Sequence, residues 1–268
     1  MLHFIADLHI HTTLSECCTD PEQTPEKLIE FLANEKHLQK IAFTDHIWDN
    51  PDHPGSTWYA PQTSVPILKQ KARFAGRSDL PLNVLFGCEA DMQTPEIFSI
   101  TPEIKAQMDL VLLASDHFHM KSFVAQPEDQ TPSALAKHMM TFFRAAAVSG
   151  LADILVHPLW PYSFEPVYAD AVALISENEL TESLRMAAEN HVAMELNGSV
   201  IAKKAIADPA NRDAYLRIMS AAKTAGCKFT FGSDSHNRSQ FELMAETARF
   251  AVEAGITAAD LSPFMMAE

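Results

Sequence analysis

The chain has 268 residues, 47% of them apolar, and a formal charge of −15; that is enough apolar side chain for a large core, without the clustered Lys and Arg that a nucleic-acid groove needs. No apolar run approaches the length of a membrane span and the first ten residues lack a cationic leader, so a cytoplasmic location and no membrane partner are expected. The cysteines (Cys17, Cys18, Cys88, Cys227) show no paired spacing, which argues against a disulfide framework.

Phe4-Ile5-Ala6 leads into Asp7-Leu8-His9-Ile10-His11-Thr12 as a first strand, and the two-residue spacing puts His9 and His11 on one face. A helix opens at Thr24-Pro25-Glu26, with Thr24 as cap, Pro25 in its first position and Leu28, Ile29, Phe31 and Leu32 as its apolar face. Strand two, Ile41-Ala42-Phe43, ends in Thr44-Asp45-His46; an aromatic-rich loop over 48–61 and a helix near 65–75 follow. Strand three, 82–86, ends in Gly87-Cys88-Glu89. A short helix from Pro102 precedes strand four, 110–114, which ends in Ser115-Asp116-His117. A helix over 133–148 leads to strand five, Ile154-Leu155-Val156, and then His157-Pro158. A helix over 179–190 precedes strand six, 192–196, which ends in Asn197-Gly198. A helix over 212–225 stops at Gly226, and strand seven, Phe229-Thr230-Phe231, runs into Gly232-Ser233-Asp234-Ser235-His236. The last helix covers 241–254, and the tail has room for one more turn.

No linker, repeat or low-complexity block interrupts the chain, so one domain over 1–268 is expected. Strands alternating with helices imply right-handed crossovers and a parallel sheet. An open sheet gathers ligand groups from a few strands at its switch point. Here nearly every strand ends in His, Asp, Asn or Glu, and a closed barrel focuses such residues on one mouth. A barrel is therefore predicted.

The strand-end set is His9, His11, His46, Glu89, His117, His157, Asn197, Asp234 and His236. Any one of these His residues alone would more often be a hydrogen-bonded structural histidine. Together they exceed what one tetrahedral metal site needs, and Glu89 or Asp234 can bridge neighbouring ions, so a multinuclear cluster is the economical reading. His3, His37, His53, His138 and His191 lie at strand starts, in helices or in loops and are read as non-ligands. Arg238, two residues after His236, is the nearest guanidinium and a candidate for oxyanion binding. His119 and Lys121 follow His117 on a loop at the expected mouth, where they either meet substrate or, more commonly, are solvated, and Trp48, Trp58, Tyr59 and Trp160 sit in loops where they either wall a pocket or pack against the barrel. Asp7 and Asp45 are read as orienting neighbouring imidazoles or as caps, and Asn197 as capping the turn with Gly198 in preference to hydrogen-bonding a substrate.

In these motifs, DLHIHT at 7–12, FTDH at 43–46, GCEAD at 87–91, ASDH at 114–117, VHP at 156–158, MELNG at 194–198 and GSDSH at 232–236, the chain resembles the PHP (polymerase and histidinol phosphatase) family over nearly its whole length. The likeness is to the stand-alone YcdX-like phosphoesterases. It implies a distorted seven-stranded (β/α)7 TIM-like barrel with three divalent ions (Zn, Mn or Fe) at the C-terminal ends of its strands. It further implies one ion on His9, His11, Glu89 and Asp234, a second on Glu89, His117 and His157, and a third on His46, His236 and one residue of the loop after strand one. The family places His or Asp in that loop. This chain has Glu16 and Cys17 there, with Asp20 and Glu22 close behind, so any of the four can complete the site.

The implied activity is hydrolysis of a small phosphomonoester by a metal-activated water, with a small phosphorylated substrate as partner and no nucleic-acid polymer. Two other readings remain at this point. The same cluster can hydrolyse another small-molecule bond, as amidohydrolases do, or the barrel can bind metal without catalysis.

Overall fold

The strands of the computed structural model, which describes residues 2–266, are β1 (Ala6–Ile10), β2 (Lys40–Ile47), β3 (Asn83–Thr94), β4 (Ile97–Phe98), β5 (Val111–Ala114), β6 (Ile154–Leu155), β7 (Ala193–Asn197) and β8 (Phe229–Gly232). Seven run parallel in the order β1-β2-β3-β5-β6-β7-β8, and β4 turns back on β3 as an antiparallel eighth. The segment after β8 returns to β1: Ile10 bridges Ser235, the Asp234 amide donates to the His9 carbonyl at 2.9 Å, and the His11 amide to the Ser235 carbonyl at 3.1 Å. The sheet is thereby rolled into the nearly closed parallel α/β barrel that the strand-end pattern predicts.

Helices α1 (Pro25–Glu35), α2 (Ser64–Phe74), α3 (Pro102–Lys105), α4 (Pro132–Val148), α5 (Glu165–Leu174), α6 (Glu177–Glu189), α7 (Pro209–Thr224) and α8 (Met244–Glu253) connect the strands. Every residue of β1 and β2 is buried, as expected for parallel strands covered on both faces. Ile41 and Phe43 of β2 and Phe86 of β3 pack with Leu28, Ile29 and Leu32 of α1 in a cluster outside the barrel. Removing one such ring, Phe43→Ala, would cost about 3–5 kcal/mol. The alternate positions of the same strands, Thr44 and His46 on β2 and Glu89 on β3, turn inward. Hydrophobic packing outside therefore fixes the register that aims the polar groups inside.

Two glycines make the interior possible. A Cβ at Gly87 would collide with the Leu110 carbonyl, so β3 and its neighbour approach closely only without one. A Cβ at Gly232 would strike the Glu195 carboxylate and the His9 side chain. Glycine there leaves the space in which those two groups meet.

Some expectations need correction. Strand three continues to Thr94 and hairpins into β4, so Glu89 sits in mid-strand. The ladder carries on because Glu89 is only one inward position of a fully paired strand, with His46 facing it in register. Helix α5 was not foreseen: its apolar residues are small and scattered, and Tyr168, Ala171 and Val172 are buried beside α4 and α7. Thr24 precedes α1 as expected, but its side chain makes no capping bond. The expected last helix begins as a 3-10 segment, Arg238–Leu243, before α8, and the tail adds 3-10 turns at Ala258–Asp260 and Pro263–Met265; its final two residues lie outside the described residues.

Candidate metal centre

At the C-terminal mouth of the barrel, Glu89 is the hub. Its Oε2 lies 3.3 Å from His9 Nε2, 3.3 Å from His11 Nε2 and 3.1 Å from His46 Nδ1; its Oε1 lies 2.9 Å from His157 Nε2 and 3.6 Å from His117 Nε2. Asp234 Oδ1 approaches His11 Nε2 at 3.3 Å, and the two Nε2 atoms of His9 and His11 are 3.2 Å apart. Three groups of donor atoms converge: His9, His11 and Asp234; Glu89, His117 and His157; and His11, Cys17, His46 and His236. His157 (φ 32°) and Asp234 (φ 54°) hold left-handed backbone conformations, a strain of about 1–3 kcal/mol each for non-glycine residues.

Several of the imidazoles are oriented from behind. His9 Nδ1 meets Glu195 Oε1 at 2.7 Å, His11 Nδ1 meets Ser15 Oγ at 3.0 Å, and His157 Nδ1 meets Asp116 Oδ1 at 2.8 Å. His117 Nδ1 meets Asp91, whose other oxygen accepts the Tyr59 hydroxyl at 2.6 Å. These contacts leave the opposite ring nitrogens pointing at Glu89 and Asp234. Asp45 acts one step further out, accepting from Thr12 and from Ser15 Oγ, each at 2.7 Å. Asp7 binds backbone, accepting the Ser233 and His9 amides, and so ties β1 to the segment after β8. Asn197 does cap its turn, with Oδ1 accepting the Val200 amide, but its Nδ2 also donates to Glu195 at 2.9 Å.

Burial pushes the His9 imidazole down, but Glu195, Glu89 and Asp234 outweigh it and hold its pKa well above the usual range. The same contest raises His11 to about 9, through Asp234 and Glu89, and His157 to about 10, through Asp116 and Glu89. Glu89 and Asp234 are held below the ordinary carboxylate range by these imidazoles despite burial. Desolvation opposes ionisation of the Cys17 thiol, yet His236, at 3.1 Å from its sulfur, together with His46 and His11, draws it down to about 5. Burial lifts Asp7 to about 7 against the lowering effect of its hydrogen bonds from Ser233 and His9.

The donor set suits divalent metal. A tetrahedral ion with bonds of about 2.0–2.1 Å keeps its ligand atoms about 3.3 Å apart, and the His9, His11, Glu89 and Asp234 atoms lie near that spacing. His46 Nδ1 is buried 3.1 Å from Glu89 Oε2 but makes no hydrogen bond of acceptable geometry among the described residues, an arrangement that suits two ligands facing one metal. Backing of metal-binding imidazoles by carboxylates is the usual arrangement at such sites.

Of the sequence candidates, His9, His11, Cys17, His46, Glu89, His117, His157, Asp234 and His236 are brought together. Glu16 is exposed and Asp20 caps the Glu22 amide. Glu22 pairs with Lys27 and Arg238, so none of these carboxylates joins a donor group. Arg238 stacks on Phe31 and faces Glu22 rather than the cavity. Trp48 and Trp160 are buried packing residues, whereas Trp58 sits 5.2 Å from the His46 ring and walls the site. His138 bonds the Ala125 carbonyl, in line with its reading as a non-ligand.

Sequence reasoning missed Glu195, Asp91, Tyr162 and Lys204. For the first two a signal existed. Asp91 follows Glu89 by two, and Glu195 precedes Asn197 by two, the same spacing as His9 and His11. A charged residue inside an otherwise apolar strand must have a partner. The cavity over the centre measures about 270 Å³ and includes Trp58, His119, Met120, Tyr162 and Lys204 in its wall. Burial and the neighbouring His117 push the His119 imidazole down to about 3. A larger cavity, about 740 Å³, opens at the opposite mouth near Lys40, Leu85 and Phe264, but no metal-donor group lies there among the described residues.

The PHP domain model matches residues 7–159, more than half of the chain. A "Probable phosphatase" of Shewanella pealeana is 27% identical over 94% of this chain and 88% of its own. A "Probable histidinol-phosphatase" of Deinococcus radiodurans is 26% identical over 87% of this chain and 86% of its own. Among solved structures, histidinol phosphate phosphatase from Lactococcus lactis, complexed with zinc, L-histidinol and phosphate, superposes with a TM-score of 0.59 at 18% identity, covering 94% of each chain. That likeness concerns the fold.

Proposed function

Because the chain belongs to the PHP domain family, we propose that residues 1–268 form one metallohydrolase domain that hydrolyses a small phosphomonoester at a trinuclear centre. The observation that carries this reading is the convergence of three donor groups on one small cavity, with Glu89 at their middle. His9, His11, Glu89 and Asp234 would hold one ion, Glu89, His117 and His157 a second, and His46, His236 and Cys17 a third. Bound there, divalent Zn, Mn or Fe supplies Lewis acidity toward phosphoryl oxygens and brings the pKa of a water toward neutrality.

The chain's own residues do the rest. Glu195, Asp116 and Asp91 keep the His9, His157 and His117 rings aimed inward. Trp58, Met120 and Tyr162 narrow the cavity with apolar wall. At about 270 Å³ the cavity suits a compact ester. The charge of −15 gives a polyanion no attractive surface beyond the centre itself. The names of the relatives from Deinococcus radiodurans and Lactococcus lactis make histidinol phosphate the first candidate to assay. Free cysteines fit a reducing, cytoplasmic compartment.

The test is a side-by-side assay of the chelated and metal-reconstituted protein on histidinol phosphate, sugar phosphates and nucleoside monophosphates, and on single- and double-stranded oligonucleotides. The expected result is metal-dependent release of phosphate from small esters, faster than oligonucleotide cleavage and only weakly sensitive to salt. Faster cleavage of the oligonucleotides, or no turnover of any phosphomonoester, would overturn the proposal.

A further inference from the structure

Lys204 is the only lysine or arginine in the wall of the cavity over the metal centre among the described residues. It ends a five-residue π-helical turn, Val200–Lys204, that follows β7. Such turns are rare and recur at functional sites. The turn is tied to the centre by Asn197, whose Oδ1 accepts the Val200 amide at 2.8 Å while its Nδ2 donates to Glu195 at 2.9 Å and reaches Asp234 at 3.4 Å. The position of Lys204 is thus set by the same side chains that set His9 and Asp234.

The ammonium itself is uncommitted. Its Nζ lies 3.9 Å from the centroid of the Tyr162 ring, and it makes no ion pair or hydrogen bond among the described residues. The Tyr162 ring stands edge-on to His117 and His157, with centroids 5.5 and 5.2 Å away. A cation–π contact holds the ammonium in place but satisfies none of its N–H donors as a full acceptor would. Burial lowers its pKa, while Asp234, Glu165, Asp116 and Glu89 pull the other way. A cation parked over an aromatic ring beside the donor cluster, with its hydrogen-bonding capacity unspent, suits a ligand that brings its own anionic oxygens.

We propose that Lys204 is the substrate-binding cation of this site, held over Tyr162 and donating to a phosphoryl oxygen of the bound phosphomonoester. This rests on the phosphoesterase reading above. It assigns to Lys204 the role that the sequence suggested for Arg238, which is engaged by Glu22 and Phe31 outside the cavity.

The test compares the metal-reconstituted wild type with Lys204→Met, Lys204→Arg and, as a charge-matched control, Lys203→Met, Lys203 being its exposed neighbour. Metal content, affinity for inorganic phosphate by calorimetry, and kcat and KM on a small phosphomonoester are measured for each. Lys204→Met should weaken phosphate binding and lower kcat/KM by about tenfold or more at unchanged metal content, the scale of one charge-assisted hydrogen bond. Lys204→Arg should recover most of that loss, and Lys203→Met should match wild type. Wild-type phosphate affinity in Lys204→Met, or a loss of metal in its place, overturns the assignment while leaving the phosphoesterase reading intact. A wild type that neither binds phosphate nor turns over any ester overturns both.

Discussion

The deep and outer parts of the centre are built by different means. His9, His11, Glu89 and His157 sit on barrel strands or directly after them, and none is more than 1% exposed. Each of these three imidazoles has its second nitrogen engaged, by Glu195, Ser15 or Asp116. Cys17 and His236 are carried on loops, the first exposed and the second 28% exposed at its side chain, and the Cys17 sulfur meets a His236 ring that is itself turned by the Asp234 carbonyl rather than by a carboxylate. The strand-borne set is placed by the packing of the barrel and cannot change without disturbing it. The loop-borne member is less constrained, and here it is the Cys17 thiol, close to His11, His46 and His236. Thiolate prefers softer divalent ions, so on the proposed ligand set the outer part is where a metal preference would be set.

The largest effect should come from the hub. Glu89→Ala removes the carboxylate that approaches both deep donor groups, and should cost more than one metal equivalent and at least about 1,000-fold in kcat, about 4 kcal/mol. Metal analysis alongside kinetics checks it; loss of a single ion with most of the activity kept would erase the distinction between hub and rim. Next comes Glu195→Gln, which leaves every candidate ligand in place and removes only the charge behind His9. A drop of about 10–100-fold in metal affinity is expected. Unchanged affinity in a chelator competition would mean that the deep site does not depend on its backing.

How much of this was readable beforehand depended on direction. Side chains that point out of a strand end announce themselves, so His9, His11, His46, His117, His157, Asp234 and His236 were all legible from spacing, and the barrel with them. Glu195 and Asp91 were quoted within motifs but given no role, because they lie inside strands whose apolar neighbours dominate the pattern. Lys204 was hidden for another reason: a π-helical turn has no periodic signature, and the ring that holds the ammonium, Tyr162, is far away in sequence. Arg238 was close in sequence to the cluster, yet the capping box around Asn237 turns it outward onto Phe31. Proximity along a chain says little once a loop has left the strand.

Smaller effects are expected at the rim. Cys17→Ser should lower the affinity of one ion while leaving the other two, and should shift the preference at that position away from zinc. Cobalt substitution offers a direct reading, since the thiolate charge-transfer band of the wild type should vanish in the variant; an unchanged spectrum would remove Cys17 from the centre.

The smallest effect is on pH dependence, where the deep imidazoles give a definite sign. The folded pKa values of His11, about 9, and His157, about 10, lie above the ordinary 6.5. Their contribution to stability is therefore full below about pH 6.5 and lost as pH rises through 9 to 10. Chelated protein should lose several degrees in Tm between pH 7 and pH 10. Metal-loaded protein should hold or gain over the lower part of that range, because metal competes with protons for the same nitrogens. Parallel melting curves with the same slope would contradict this.

The central claim is that the convergent side chains at the barrel mouth bind several divalent ions together. The most direct measurement is the metal content of the wild-type protein after chelation, reconstitution with zinc or manganese and removal of free metal, read by elemental analysis against protein concentration. The account predicts close to three equivalents, with phosphomonoester hydrolysis returning as they are restored. At most one tightly held equivalent under these conditions would contradict it.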